Sequence, residues 1–422
     1  MKFLVACYGT RGDVEPCATV GRELMHRGHE VHMAVPPNLV GFVESAGLNA
    51  TALGPDPREM LDAHWAFYRT CFRTPWRIRE VSRLSREAWE PKARAWEELS
   101  RTLTSLAKGV DLLFTGLVFE EVAGNVAEYY DIPLATLHYF PIRPNGELLS
   151  FLPARFRRST MLAHERMIWR GAKEVVNAQR RALGLPEAVL PYTRQITERG
   201  SLEIQAYEEA CFPGLAEEWA DLDGQRPFVG ALTMNQPTDT DQEVASWIGA
   251  GRPPIFFGFG SVPVESAADT LAMITAACTQ LGERALICAA GIDASRVAHP
   301  DDVKVVGATS YAAAFPACRA VVHHGGAGTT ALALRAGIPQ LILSTDLDQT
   351  LWGVRIKRLK VGSKRRFSTT TSGSLLADLR AVLDPRCVSR AREMAAQMTD
   401  PTESISAAAD LVEKFARLDS VC

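Results

Sequence analysis

Residues Val321–Trp352 read VVHHGGAGTTALALRAGIPQLILSTDLDQTLW, and the order of residue types in this stretch decides the fold. Val321 and Val322 end a short apolar run suited to a buried strand, and His323, His324 and a glycine-rich turn (Gly325, Gly326, Gly328) follow. Thr329 and Thr330 then open a helix that Gly337 stops. The first N–H groups of a helix have no partner inside it, and the dipole adds partial positive charge, so such a turn receives an anion such as a diphosphate. Glycine lets the backbone approach closely, threonine hydroxyls donate to phosphate oxygens, and an imidazole adds a donor able to carry charge. Adjacent side chains on an extended chain point to opposite faces, so only one of the two histidines readily meets that anion. Gly337, Ile338 and Pro339 turn the chain into a second strand, Gln340 to Leu343, which leads to Asp346-Leu347-Asp348-Gln349. Ligands of parallel sheets sit at the carboxyl ends of strands, so this end shares a pocket with the glycine turn. The carboxylate of Asp348 and the amide of Gln349 suit the hydroxyl groups of a sugar.

Working outward, the same alternation of apolar runs and helical stretches fills both halves of the chain and predicts two doubly wound α/β domains. In the first half KFLVACYG reads as a buried strand, a helix follows around Cys17–Arg27, and strands follow at Glu30–Val35, DLLFTG, LATLHYF and SLEIQAY. The stretch FVGALTMNQPTDTD has neither period and reads as a linker, which sets domains at 1–227 and 242–399 with the linker at 228–241. PPIFFGFGS, ERALICAAG, VKVVG and CRAVVHH supply the second sheet. A length of 422 residues fits two domains, and 47% hydrophobic residues with a net charge of -3 fit a globular chain without the basic field that nucleic acid requires. The apolar run at Phe3–Cys7 is too short for a signal peptide or a membrane span, and nine cysteines without a C-x-x-C pair fit reduced thiols. Both point to a cytoplasmic protein.

A second landmark, Gly9-Thr10-Arg11-Gly12-Asp13, follows the first strand and so belongs at the carboxyl edge of the first sheet. Taken alone, Asp13 reads as a cap for the next helix, with Pro16 in its first turn. The basic and aromatic stretches Trp65–Trp96 (with Phe67, Tyr68, Arg69, Phe72, Arg73, Trp76, Arg77, Arg79 and Trp89) and Phe151–Trp169 (with Arg155, Arg157, Arg158 and Ile168) admit two readings. One is amphipathic helices with packed arginine stems; the other is a hydrophobic acceptor groove whose basic rim makes a peripheral membrane contact.

The Val321–Trp352 block resembles the C-terminal signature of nucleotide-sugar-dependent glycosyltransferases of the GT-B fold, two Rossmann-like parallel-sheet domains facing a central cleft. The phrase GTRGDVEP resembles the opening of the bacterial transferases that modify glycopeptide antibiotics, sterols and mycobacterial glycopeptidolipids. RGSLEIQAYEEACFPGLAEEW is similar to the glycopeptidolipid group in particular. The resemblance implies that His324, Gly325, Gly326, Gly328, Thr329 and Thr330 hold the donor diphosphate; Ser261 after FFGFG reads either as a further phosphate contact or as an ordinary helix cap. It implies that Asp348 and Gln349 hold the donor sugar, that Asp13 is the general base with Asp348 in reserve, and that Thr10, Arg11, Gly12, His138 and Tyr139 border the acceptor. The C-terminal helix, about 404–418 within a segment at 400–422, would pack back on the first domain.

The implied reaction inverts configuration while moving a hexosyl or deoxyhexosyl group from a TDP- or UDP-linked sugar to a hydroxyl of a lipopeptide or glycolipid, at the inner face of the plasma membrane. No cofactor and no metal are expected: Asp346-Leu347-Asp348 mimics a D-x-D metal signature, but the helix terminus and His324 supply the positive field. The chain departs from the resembled pattern on the sugar side, with Ser344-Thr345-Asp346 before the acidic-Gln pair, Thr350 after it, and Gly291-Ile292 where relatives place a Gly-Trp. A nucleotide-sugar epimerase and an inactive nucleotide-sugar-binding partner are the alternatives. The absence of G-x-G-x-x-G in GTRGD, and of G-x-x-x-x-G-K-[ST] anywhere, argues against a dinucleotide oxidoreductase and a nucleotide hydrolase.

Overall fold

A computed structural model describes residues 1–58, 77–258, 267–289 and 300–419. Two compact units emerge: Met1–Met234 together with Thr399–Cys422, and Asn235–Met398. In the first unit β1 (Lys2–Ala6), β2 (Glu30–Val35), β3 (Asn49–Ala52), β4 (Leu112–Thr115), β5 (Leu134–His138) and β6 (Leu202–Gln205) form one sheet in the order β3-β2-β1-β4-β5-β6. Every pair is parallel. Side chains alternate along β1, so Phe3 and Val5 join one core with the Arg11–His26 helix and with Ala408, Ala409, Val412 and Ala416 of the C-terminal helix Pro401–Asp419. Leu4 and Ala6 join the other, beneath the helices Ile78–Leu106, Glu120–Tyr130 and Ala154–Ala182. Helices on both faces explain why these strands read as continuous apolar runs.

The second unit repeats the plan with β7 (Ile255–Gly258), β8 (Ala285–Cys288), β9 (Val303–Val306), β10 (Ala320–His323), β11 (Gln340–Ser344) and β12 (Gly362–Arg366), in the order β12-β11-β10-β7-β8-β9. These pairs are parallel as well. Strand order reverses between β1 and β4 in one sheet and between β7 and β10 in the other, and a crevice opens at the carboxyl ends on either side of such a point. The Gly9–Asp13 loop leaves β1 and the His324–Gly326 turn leaves β10, so each lies at its own unit's crevice.

The Arg11–His26 helix starts well before the expected Cys17 and runs through Pro16. Its start is fixed by a reciprocal cap: Thr10 is the N-cap, and the Asp13 carboxylate takes the Thr10 backbone N–H at 2.6 Å and its hydroxyl at 2.9 Å. Strand β12, GSKRR, escaped the sequence reading because an edge strand needs charge rather than apolar continuity.

Candidate functional site

Strand β10 ends on His323, which is fully buried. Its Nδ1 accepts the Gly325 N–H at 3.1 Å, so the proton sits on Nε2, 2.8 Å from the Gln340 Oε1. Burial, reinforced by His324, pushes its pKa down to about 3, so the ring is neutral and serves to lock the turn to β11. Gly325 has φ +103°, and a Cβ there would meet Ile342 Cγ2 at 2.7 Å and the Gln349 carbonyl at 3.0 Å. Glycine is therefore demanded twice over.

His324 points the other way and is half-buried. Its Nδ1 is shielded from water and has no hydrogen-bond partner among the described residues. Burial holds this imidazole below its ordinary pKa, while the Asp348 carboxylate pulls in the opposite direction. Burial thus favours the neutral ring, and it becomes a cation when a strong negative charge draws a proton to it. A Cβ on Gly326 would lie 2.7 Å from His324 Nε2, so that glycine lets the ring fold over the turn. The helix behind the turn, Ala327–Arg335, has Gly326 at its N-cap and no side-chain cap, which leaves its first amides directed at the crevice. Gly328 is exposed and Thr329 partly so. Thr330, expected on the diphosphate, is fully buried and donates its hydroxyl to the Gly326 carbonyl at 2.9 Å, the back-bond a mid-helix threonine favours. Ser261, Gly291 and Ile292 lie outside the described residues.

At the end of β11, Asp346 caps the Leu347–Leu359 helix by accepting the Gln349 N–H at 3.1 Å. Burial first, then the neighbouring Asp348, pushes the Asp346 pKa up to about 8. A poorly solvated carboxyl beside a second acidic side chain is costly to ionise, so Asp346 holds its proton to an unusually high pH. Asp348 itself is exposed. Gln349, expected to reach a sugar, is buried, and its Oε1 already takes the Thr345 N–H at 2.9 Å and hydroxyl at 3.0 Å. Its side-chain amide also bonds the Asp346 carboxyl, so Gln349 ties the Thr345–Asp346 corner together.

In the first unit, Asp13 is half-buried, and its second carboxylate oxygen accepts the Tyr139 hydroxyl. A Cβ on Gly9, at φ +121°, would collide with this carboxylate, so glycine is what lets the loop close over it. Thr10, Arg11 and Gly12 are exposed beside it. His138, expected at the same edge, is instead fully buried, with Nε2 3.1 Å from Glu120. Glu120 and Glu203 also clamp Arg143, at 2.6 and 2.5 Å. His138 therefore belongs to a buried ion network under the loop rather than to an acceptor surface. In the basic and aromatic stretches, Trp96 is buried with its N–H on Gln179 at 3.0 Å, which is the packed reading. Residues 59–76 and the side chains of Arg79 and Trp89 lie outside the described residues.

Known proteins bear on this geometry. An uncharacterized glycosyltransferase of Mycobacterium tuberculosis is 57% identical over 420 residues, 99% of each chain. The chain belongs to this glycosyltransferase family. An uncharacterized glycosyltransferase of Mycobacterium leprae is 54% identical over 413 residues, 98% of this chain and 96% of that one. The vancomycin aglycone glucosyltransferase of Amycolatopsis orientalis is 28% identical over 422 residues, 96% of each. Residues 3–99 match the Glycosyltransferase family 28 N-terminal domain, and residues 274–418 match the C-terminal domain of Erythromycin biosynthesis protein CIII-like proteins. Among solved structures, the calicheamicin glycosyltransferase CalG4 has a TM-score of 0.72 at 18% identity, covering 98% of both chains. The glycosyltransferase VinC, solved in complex with dTDP, has a TM-score of 0.66 at 18% identity, covering 99% of this chain and 100% of that one. The fold of this glycosyltransferase is GT-B.

Two residues of the glycosyltransferase that position its candidate site residues were not singled out from its sequence. Gln340 fixes the tautomer of His323 and Glu120 buries His138, while Asp346, named only in the D-x-D mimic, caps the helix that carries Asp348. The Asp346 cap had a local signal in the Asp-x-x-Gln spacing, which marks a helix start; the other two depend on contacts across the sheet.

Proposed function

We propose that this glycosyltransferase moves a hexosyl or deoxyhexosyl group, with inversion, from a TDP- or UDP-linked sugar to a hydroxyl of a lipid-like acceptor. The observation that carries the reading is the His324 turn: a buried nitrogen without a partner beside the uncapped N-terminus of the Ala327–Arg335 helix, with a carboxylate close by. An incoming diphosphate satisfies both donors and draws a proton onto His324, and the same charges stabilise the diphosphate as it leaves. Asp348, exposed beside the turn, then meets sugar hydroxyls, with Gln349 holding the corner behind it. In this reading the acceptor hydroxyl attacks the anomeric carbon from the face opposite the leaving diphosphate and gives its proton to Asp13. Three donors, from Thr10 twice and Tyr139 once, hold that carboxylate in one orientation. No metal is needed for this chemistry, and unchanged turnover in a chelator is the expected outcome.

The test is Asp13→Asn, assayed by release of nucleoside diphosphate across a donor panel with and without a hydrophobic hydroxyl acceptor. Asparagine keeps an acceptor oxygen for the Thr10 cap but cannot take a proton, so transfer should fall by about two to four orders of magnitude with donor binding retained. Near-normal turnover would reduce Asp13 to a cap. Donor isomerisation without an acceptor would mean an epimerase, and binding without any turnover in the unaltered protein would mean a binding partner.

A further inference from the structure

The Ala154–Ala182 helix carries two apolar faces where a helix on the surface of a sheet needs one. Met161, Trp169, Ala172 and Val176 are buried on one side, the last three within the core of the first unit. On the opposite side Phe156, Ala163 and Met167, spaced seven and four residues apart, form a second stripe in the open. Phe156 is 48% exposed and Met167 60%, and Phe151 in the preceding loop is 59% exposed. These are three of the six exposed large hydrophobic side chains among the described residues, gathered on this helix and the loop that leads into it.

The charge around the stripe is one-sided. Arg155, Arg166, Arg170 and Lys173 are exposed and follow one flank of it. Of the two carboxylates from Phe151 to Glu174, Glu165 is turned away, taking the Thr193 hydroxyl at 2.6 Å and Arg194 at 3.4 Å, and Glu174, at the far end of the stripe, is paired with Arg181 at 2.8 Å. Arg157 does a different job, donating to the carbonyls of Leu152, Gly146 and Ser150 and so holding the loop that presents Phe151. Arg155 lies 4.7 Å from the Phe156 ring centroid, which places a cation beside the exposed aromatic.

We propose that this face of the helix docks on a bilayer surface bearing anionic headgroups, with Phe151, Phe156 and Met167 entering the acyl boundary and the basic flank meeting the phosphates. An apolar stripe with a basic border and exposed aromatic residues is what an interfacial helix requires, since apolar burial and headgroup attraction add. A second copy of the same face is disfavoured, because it would bring four cations against four, and the nearby carboxylate of Glu174 is already paired with Arg181. The inference stands apart from the transfer reaction and needs no acceptor to be known.

The experiment is co-sedimentation of the whole chain with vesicles of phosphatidylcholine alone and of phosphatidylcholine mixed with phosphatidylglycerol. Binding is expected on the mixed vesicles and should weaken with added salt. The Phe156→Ser/Met167→Gln variant should bind at least about tenfold more weakly, and each of Arg166→Gln and Arg170→Gln about fivefold more weakly. All of these side chains are exposed, so an unchanged circular dichroism spectrum is expected of every variant. Equal sedimentation with both vesicle types, or full binding by the double variant, would overturn the proposal, as would concentration-dependent dimerisation abolished by the same double substitution.

Discussion

Replacing His323 by Asn separates the lock of the donor turn from everything around it. Asparagine places an acceptor oxygen near the position of Nδ1, keeps the Gly325 N–H bonded, and carries no charge at any pH, but it cannot reach Gln340. Loss of the Gln340 bond and of ring volume should cost about 1–3 kcal/mol at pH 7.5. The pH dependence is sharper. His323 titrates near 6.5 when unfolded and at about 3 when folded, so the unfolded chain binds the extra proton and stability is lost as pH falls below 6.5. Between pH 7.5 and 4.5 that linkage removes roughly 2.7 kcal/mol from the unaltered protein and nothing from the variant. The gap between the two in urea unfolding, followed by tryptophan fluorescence, should therefore shrink or reverse on acidification. A gap independent of pH would mean that His323 is not held neutral, and the reasoning about the turn would fall with it.

Gly325→Ala forces a side chain into a positive-φ position against Ile342 and the Gln349 carbonyl, and should cost at least about 2–3 kcal/mol while abolishing nucleoside diphosphate binding measured by calorimetry. Retained binding would show that the turn can be rebuilt without its backbone geometry. Asp346→Asn keeps the helix cap but removes the acid whose folded pKa lies above its unfolded value. Such a group stabilises fully only below pH 3.8 and loses its contribution as pH rises toward 8, so the variant should gain on the unaltered protein through that window, by an amount on the order of 1–3 kcal/mol at pH 8. An equal stability gap between the variant and the unaltered protein at pH 5 and pH 8 would contradict the raised Asp346 pKa.

The strands legible in the sequence were the buried ones, because β1, β7, β10 and β11 are apolar on both faces and end at glycine, histidine or serine breaks. The division of labour between His323 and His324 was legible too, since strand geometry alone sends their rings apart. Thr330 and Gln349 were misjudged for a common reason. Each is a polar residue in a motif that could serve a ligand, and each spends its hydrogen bonds on its own backbone neighbourhood, a competition that composition does not reveal. His138 was placed correctly at the end of β5, but the carboxylate that buries it comes from the Glu120–Tyr130 helix, and no local pattern announces that partner. The exposed stripe on the Ala154–Ala182 helix was visible only as a mixture of arginine and apolar residues until the buried face was known and could be subtracted from it.

The measurement closest to the central claim is a crystal structure with TDP or UDP bound. Its diphosphate oxygens should lie within hydrogen-bond distance of His324 and of the Gly328 and Thr329 amides, with the imidazole protonated and Thr330 still tied to Gly326. Phosphates bound at another place in the second unit, with His324 Nδ1 still lacking a partner, would contradict the assignment of the turn and the transfer chemistry built on it.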